Sequence, residues 1–142
     1  SSNLSIVRTS EGLVEIQILV RSSSETMKMA LASELESTFA LAGARVEFDG
    51  AYPGWEPNFK SDILNLMKKI YPQVTGKEAD VKMMHAGSEC CIIGANYPGL
   101  DMISFGPTIK HPHSPNEKVK ISTVETFWKL LVAVLENIPE KD

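Results

Sequence analysis

The chain has 142 residues, a length that favours one compact domain, or one small domain with part of another. A formal charge of −4 excludes the basic excess expected of a protein that binds nucleic acid or an anionic membrane. No apolar run reaches the length of a membrane span and no signal sequence opens the chain, so we expect a soluble, cytoplasmic protein. Cys90 and Cys91 are adjacent, which suits neither a disulfide framework nor a CxxC metal site.

The chain begins with the pattern of a β-hairpin. Residues 4–9 and 13–21 read as strands, and the short polar turn between them contains Gly12. In the second strand alternate residues are apolar, which predicts one face toward a core. Arg21 falls on the opposite face, where an arginine either binds a carboxylate with its planar fork or is simply solvated.

A helix and a third strand are expected next. Apolar residues at helical spacing predict a helix over 24–42, and Ser22 with Glu25 has the form of a capping box. Alternation over 45–49 predicts another strand. The order β-β-α-β indicates most of an α+β sandwich, with the helix covering the apolar face of the hairpin.

Prolines and glycines in residues 50–57 indicate a boundary. Strands and helices alternate after it, which predicts part of a layered α/β sheet. Ser61 is expected to cap a helix that ends at Pro72. The later predicted elements are a strand at 80–84, a helix at 89–95, a strand at 100–105 and a helix at 122–138. The last helix is expected to bury one face formed by Val124, Phe127, Trp128, Leu131, Leu135 and Ile138.

Two of the three histidines, His111 and His113, follow the predicted strand at 100–105, an edge where α/β folds bind ligands. In an extended segment both rings point the same way and can reach one site. A catalytic zinc takes three protein ligands, however, and two histidines do not supply them. The pattern leaves open a fragment of a metal site or a pair of solvated loop histidines.

The stretch "HAGSECC", residues 85–91, follows another predicted strand. Small residues there allow close approach of a ligand, and the N–H groups that start the next helix can receive an anion. The segment is therefore either a carboxylate or oxyanion cradle, with His85 and Glu89 as polar neighbours, or a tight strand-to-helix turn. A nucleophilic Cys90 or Cys91 is a further alternative to simple packing.

Four stretches together resemble the C-terminal part of the aminoacyl-histidine dipeptidases, which are Xaa-His or carnosine-type peptidases of the two-zinc exopeptidase clan. They are "YPGW", "HAGSEC", "LDMISFGPTIKHPHSPNEKVKIS" and the closing helix with its tryptophan. The resemblance covers nearly the whole chain. It implies an α/β protein in which an α+β lid portion, residues 1–50, precedes part of a layered α/β zinc-peptidase catalytic domain, residues 51–142. It also implies a cytoplasmic homodimer.

The resemblance also implies site residues. The histidine of the "PHSP" motif is a zinc ligand in the family, which falls on His113, and the lid arginine that binds substrate falls on Arg21. The glycine of "HAG" lies at the substrate site and falls on Gly87, with His85 and Glu89 as weaker candidates. In two further positions the sequence departs from the family pattern: Ser88 stands where leucine is expected and Asn116 where aspartate is expected.

Other parts of the family's site have no counterpart here. The remaining ligands of the two zinc ions and the general base lie in an H-x-D motif and a Glu-Glu pair, and the sequence contains neither. A two-metal hydrolase needs both groups. We therefore expect a fragment that binds no zinc stably and is inactive alone. The rival expectation is a freestanding small-molecule-binding or dimerisation module without catalysis.

Overall fold

Helices and small antiparallel sheets make up the computed structural model, which describes residues 1–84 and 89–140. The α/β class expected from the sequence is confirmed. In the described residues no helix is both long and apolar enough to cross a membrane. The elements in chain order are β1 (Ser2–Ser10), β2 (Leu13–Val20), α1 (Glu25–Leu41), α2 (Asp62–Thr75), α3 (Glu89–Asn96), β3 (Ile109–Lys110), β4 (Lys118–Val119) and α4 (Ser122–Glu136).

The chain divides into two compact units, and each is built from two separate segments. The first unit contains Ser1–Pro57 and Met83–Gly99. The second contains Asn58–Lys82 and Leu100–Asp142. The segment that carries α3 therefore groups with the N-terminal hairpin, although it lies far from it in sequence.

The expected hairpin in the first unit is confirmed. Ser10 pairs with Leu13, which leaves Glu11 and Gly12 as a two-residue turn. Their φ angles are 50° and 81°, the combination of a type I′ turn, whose twist matches that of the flanking strands. The register shifts between Leu4 and Ile6, so β1 contains a bulge.

Helix α1 forms where the sequence predicts it, but it begins differently. Its N-cap is Ser24, whose side chain makes no capping hydrogen bond, so the capping box from Ser22 to Glu25 is wrong. The Ser22 hydroxyl instead accepts the N–H of Ser24 at 3.2 Å. The helix lies against β2 but contains no buried residue, so it covers the hairpin less completely than the sequence suggests.

The core of the second unit lies between α2 and α4. It consists of Met67 and Ile70 from α2 with Leu130 and Val134 from α4. The Ser61 hydroxyl accepts the N–H of Leu64 at 3.0 Å and caps α2 as expected. Pro72 does not end this helix, which continues to Thr75 and stops at Gly76 with a left-handed φ of 69°.

The predicted buried face of α4 is wrong. Leu130 and Val134 are the buried residues of this helix, and neither belongs to the expected stripe. Within that stripe Phe127 packs its ring at 5.5 Å from the ring of Phe105. Several other members are exposed, namely Val124, Trp128, Leu135 and Ile138. The helix is apolar on more than one side, and contact with α2 decides which side is buried.

Three predicted strands, at 45–49, 80–84 and 100–105, are absent from the described residues, while β3 and β4 were not predicted. A strand requires a hydrogen-bonded neighbour, and an alternating pattern alone does not supply one. Within residues 100–105, Ile103 nevertheless packs against the core of the second unit.

Candidate functional site

The histidine-rich stretch forms the loop of the β3–β4 hairpin. Ile109 pairs with Val119 and Lys110 with Lys118, so residues 111–117 connect the two strands. Both histidines are exposed on this loop. The hairpin therefore presents His111 and His113 at its tip, on the same short element.

The base of this hairpin is attached to the start of α4. The N–H of Thr108 donates to the hydroxyl of Thr123 at 2.9 Å, and that hydroxyl donates to the Lys120 carbonyl at 2.7 Å. The N–H of Lys120 in turn donates to the Thr108 carbonyl at 2.8 Å. The loop is thus anchored to a helix that is itself fixed in the core.

Hydrogen bonds inside the loop also hold its shape. The N–H of His113 donates to Oε2 of Glu117 at 2.7 Å. The Ser114 hydroxyl donates to the His111 carbonyl at 2.8 Å, and the Glu117 N–H donates to the Ser114 carbonyl at 3.0 Å. The contact of Glu117 with His113 was not predicted, and its only sequence signal is a carboxylate four residues after a histidine in a short loop.

Both histidines have left-handed backbone conformations. The φ angles are 53° for His111 and 61° for His113, a region that residues with a Cβ seldom occupy. The expectation of an extended segment in which both rings point the same way is therefore wrong. Such strain persists only where surrounding contacts hold it, and the hydrogen bonds within the loop are contacts of that kind.

The described residues around His113 do not form a complete metal site. The imidazole of His113 is exposed, and its main chain is held by Glu117. Within residues 1–84 and 89–140, no three side chains of the His, Cys, Asp or Glu type come together to hold a metal ion. A zinc that His113 binds would need its other ligands from elsewhere.

Arg21 lies directly after β2, in the first unit, and it is half-buried. The sequence left open a carboxylate-binding or a solvated Arg21, and in the structure the Nε of its guanidinium is buried. In the part of the chain that the structure describes, this Nε has no hydrogen-bond acceptor. A buried donor without an acceptor is costly, and the carboxylate of a ligand is one group that would satisfy it.

The "YPGW" stretch packs next to Arg21. A Cβ built on Gly54 would lie 2.3 Å from the carbonyl oxygen of Ser23, two residues after Arg21, so only glycine fits there. Lys28 donates to the Tyr52 carbonyl at 2.5 Å and pairs with Glu25 at 2.8 Å. The hydrogen bond from Lys28 lowers the pKa of Glu25, which also accepts the N–H of Gly54.

The predicted cradle around "HAGSECC" is only partly visible. His85 and Gly87 lie outside the described residues. Glu89 is the first residue of α3, where a carboxylate interacts favourably with the helix dipole, and it is exposed. Cys91 is buried in α3 and Cys90 is half-buried, which fits the packing interpretation of these cysteines.

Asp101 joins α2 to the segment before the hairpin. Its Oδ2 accepts the N–H of Ile63 at 3.0 Å, at the start of α2. Desolvation raises the pKa of Asp101, but donation by the Ser61 hydroxyl and by the N–H groups of Ile63, Asp62 and Met102 outweighs it. The pKa of this carboxyl therefore lies below its ordinary value. The carboxylate serves as a second cap for α2.

The motifs on this scaffold fit a known class of enzyme. The model of peptidase family M20/M25/M40 matches residues 5–137, and the chain belongs to this family. Peptidases of the family are generally metal-dependent, which agrees with a histidine presented on a structured loop.

Two relatives define the similarity more closely. The chain is 41% identical over 141 residues to the cytosol non-specific dipeptidase of Escherichia coli (strain K12). It is 45% identical to the aminoacylhistidine dipeptidase from Vibrio alginolyticus, whose crystal structure it matches with a TM-score of 0.81. The alignments cover 99% and 100% of this chain but only 29% of each relative. The chain therefore spans less than a third of the length of these relatives.

Proposed function

We propose that this chain works as part of a longer zinc-dependent dipeptidase that hydrolyses dipeptides, with a preference for those ending in histidine. The observation that carries the proposal is His113, held on a hydrogen-bonded hairpin loop in a chain that belongs to a peptidase family. The longer protein would act in the cytoplasm as a homodimer. Residues 1–50 would belong to its lid and residues 51–142 to its catalytic domain.

In this proposal His113 provides one ligand of a two-zinc site, and its loop keeps the imidazole presented to the metal. Two zinc ions would supply an activated water and polarise the peptide carbonyl. Arg21 would bind a terminal group of the dipeptide, and its buried Nε, which finds no acceptor in the described part of the chain, supports this role. Gly87 would belong to the substrate site of the longer protein, with His85 and Glu89 as weaker candidates.

The chain alone is expected to be inactive. No three His, Cys, Asp or Glu side chains of the described residues come together to hold a metal ion, so the ligands that complete the zinc sites would come from additional chain. Many large apolar side chains are also exposed, among them Val81, Met83, Leu100 and Trp128. Exposed apolar surface of this extent is typical of a part that packs against another.

Matched substitutions in the longer protein test the metal role. His113→Asn removes the imidazole while keeping a residue that tolerates a left-handed φ, and His111→Asn is the control in the same loop. We expect His113→Asn to lower kcat/KM by more than about 100-fold and to release zinc, because a ligand is lost. His111→Asn should change both by only a few fold, of the order of a surface substitution. Equal zinc content and activity in the two variants would refute the assignment of His113.

A second pair of variants tests the substrate role of Arg21. Arg21→Ala should raise KM by about 10- to 100-fold with little change in kcat, because a charged hydrogen bond to substrate is lost. Arg8, exposed on β1 of the same hairpin, provides the matched control. If Arg8→Ala and Arg21→Ala raise KM equally, the loss of a positive charge from the hairpin accounts for the change in KM. The proposed substrate role of Arg21 is then wrong.

A further inference from the structure

Glu117 holds the loop that carries His113 at two points, once through its carboxylate and once through its main chain. Oε2 of Glu117 accepts the main-chain N–H of His113 at 2.7 Å, the length of a charge-assisted hydrogen bond. The N–H of Glu117 donates to the Ser114 carbonyl at 3.0 Å. The side chain and the main chain of Glu117 thus join both sides of the loop tip.

The bond to the N–H of His113 controls where its imidazole points. Strand pairing ends at Lys110 and resumes at Lys118, so the sheet does not hold the backbone between them. With a φ of 61°, His113 lies in a region that its own Cβ disfavours. The bond to the N–H holds the peptide plane between residues 112 and 113, and at the observed φ of 61° the direction of the Cα–Cβ bond follows from that plane.

The remaining hydrogen bonds of the loop do not replace this contact. The Ser114 hydroxyl donates to the His111 carbonyl and accepts the N–H of Asn116, and both bonds act on the neighbours of His113. Loss of the Glu117 carboxylate would leave the loop closed but would release the peptide that sets the orientation of His113.

We infer that Glu117 is a positioning residue, which holds the His113 imidazole in the direction needed for zinc through a hydrogen bond to the His113 main chain. The inference rests on the proposed function, because it requires His113 to bind zinc. It gives Glu117 no contact with metal or substrate. Partners of this kind, which orient a ligand, typically change metal affinity by about 10- to 100-fold when they are removed.

Zinc affinity of the longer protein, measured by competition with a chromophoric chelator, tests the inference without relying on activity. Glu117→Ala should weaken the zinc site that includes His113 by about 10- to 100-fold. Glu117→Gln keeps an acceptor oxygen at the same reach, so it should recover most of that loss. Glu125→Ala removes an exposed carboxylate on α4 and should leave zinc affinity unchanged.

A double-variant cycle shows whether Glu117 acts through His113. In a His113→Asn background, Glu117→Ala should cause no further loss of zinc affinity, because the ligand that it orients is already absent. An undiminished further loss would overturn the inference. So would a Glu117→Gln protein as weak as Glu117→Ala, since the carboxylate would then act through its charge.

The outcomes separate this inference from the proposed function. If His113→Asn leaves zinc affinity unchanged, His113 is not a ligand and both fall. If His113→Asn loses zinc while Glu117→Ala binds it like the parent protein, only the positioning role is wrong. Circular dichroism of the zinc-free variants verifies that each is folded, and Glu117→Gln provides the comparison if Glu117→Ala is not.

Discussion

Substitution of Gly54 by alanine is expected to destabilise the first unit. The added Cβ would lie 2.3 Å from the carbonyl oxygen and 2.8 Å from the carbonyl carbon of Ser23. Both are main-chain atoms, so no side-chain rotation relieves the overlap. The "YPGW" segment must therefore move away from the start of α1, or the turn after Arg21 must shift.

The contacts on either side of Gly54 determine how far Gly54→Ala lowers the free energy of unfolding. Overpacking against fixed atoms costs about 1–3 kcal/mol. If the segment moves instead, the hydrogen bond from Lys28 to the Tyr52 carbonyl weakens, and a bond from a charged donor contributes about 1.5–3 kcal/mol. Because one response relieves the other, the two values do not add. We expect the free energy of unfolding to fall by about 2–3 kcal/mol.

Gly106→Ala is the matched control, because a Cβ at Gly106 meets nothing within 4 Å and its φ is not positive. That change should be neutral or stabilise the protein by up to about 1 kcal/mol, through the lower entropy of the unfolded chain. Urea unfolding followed by circular dichroism compares the two variants at equal slope. The reasoning is refuted if Gly54→Ala unfolds at the same urea concentration as Gly106→Ala.

Three further outcomes can be measured. Leu130→Ala empties part of the α2–α4 core and should cost about 2–5 kcal/mol in thermal unfolding, whereas exposed Leu135→Ala should cost under about 0.5 kcal/mol. The pKa of Asp101 is lower in the folded protein than in the unfolded chain. Its carboxylate therefore stabilises the fold fully at pH values above the pKa in the unfolded chain, and this stabilisation is lost as the pH falls through the pKa in the folded protein. Asp101→Asn should remove this acid-range dependence from pH-dependent unfolding curves. Trp128 is 62% exposed, so acrylamide should quench its fluorescence in this chain, where Trp55→Phe removes the other tryptophan signal. In the longer protein the fluorescence of Trp128 should be protected from acrylamide.

Local patterns predict the elements whose partners are close in sequence. The β1–β2 hairpin needs only its own two strands and the Glu11–Gly12 turn, and alternation with a glycine signal was enough to predict it. Helix α2 was also predicted because Ser61 and its apolar stripe are local features. The prediction that Pro72 ends α2 was wrong, because Tyr71 and Val74, on either side of the proline, pack against the α2–α4 core while the helix continues to Thr75.

The site was less predictable, since its geometry depends on the loop and not on a pattern. The sequence, through its family resemblance, identifies His113 as the ligand candidate. The left-handed φ of His113 and the contact with Glu117 leave no periodic signal. Strands β3 and β4 contain two residues each, too few for alternation to appear. The burial of the Arg21 Nε likewise follows from packing around the end of β2, which strand alternation does not describe.

Helix α4 has two apolar sides, and only one of them is buried against α2. Contact with α2 accounts for Leu130 and Val134, while the stripe expected from the sequence includes exposed Val124, Trp128 and Ile138. A helix that is apolar on several sides normally lies in the interior of a larger domain. The chain spans 29% of the length of each relative. In the proposed dipeptidase, the additional chain would therefore cover this exposed stripe of α4. The same helix anchors the His113 hairpin through Thr123, so burying α4 would also immobilise the base of the proposed zinc site.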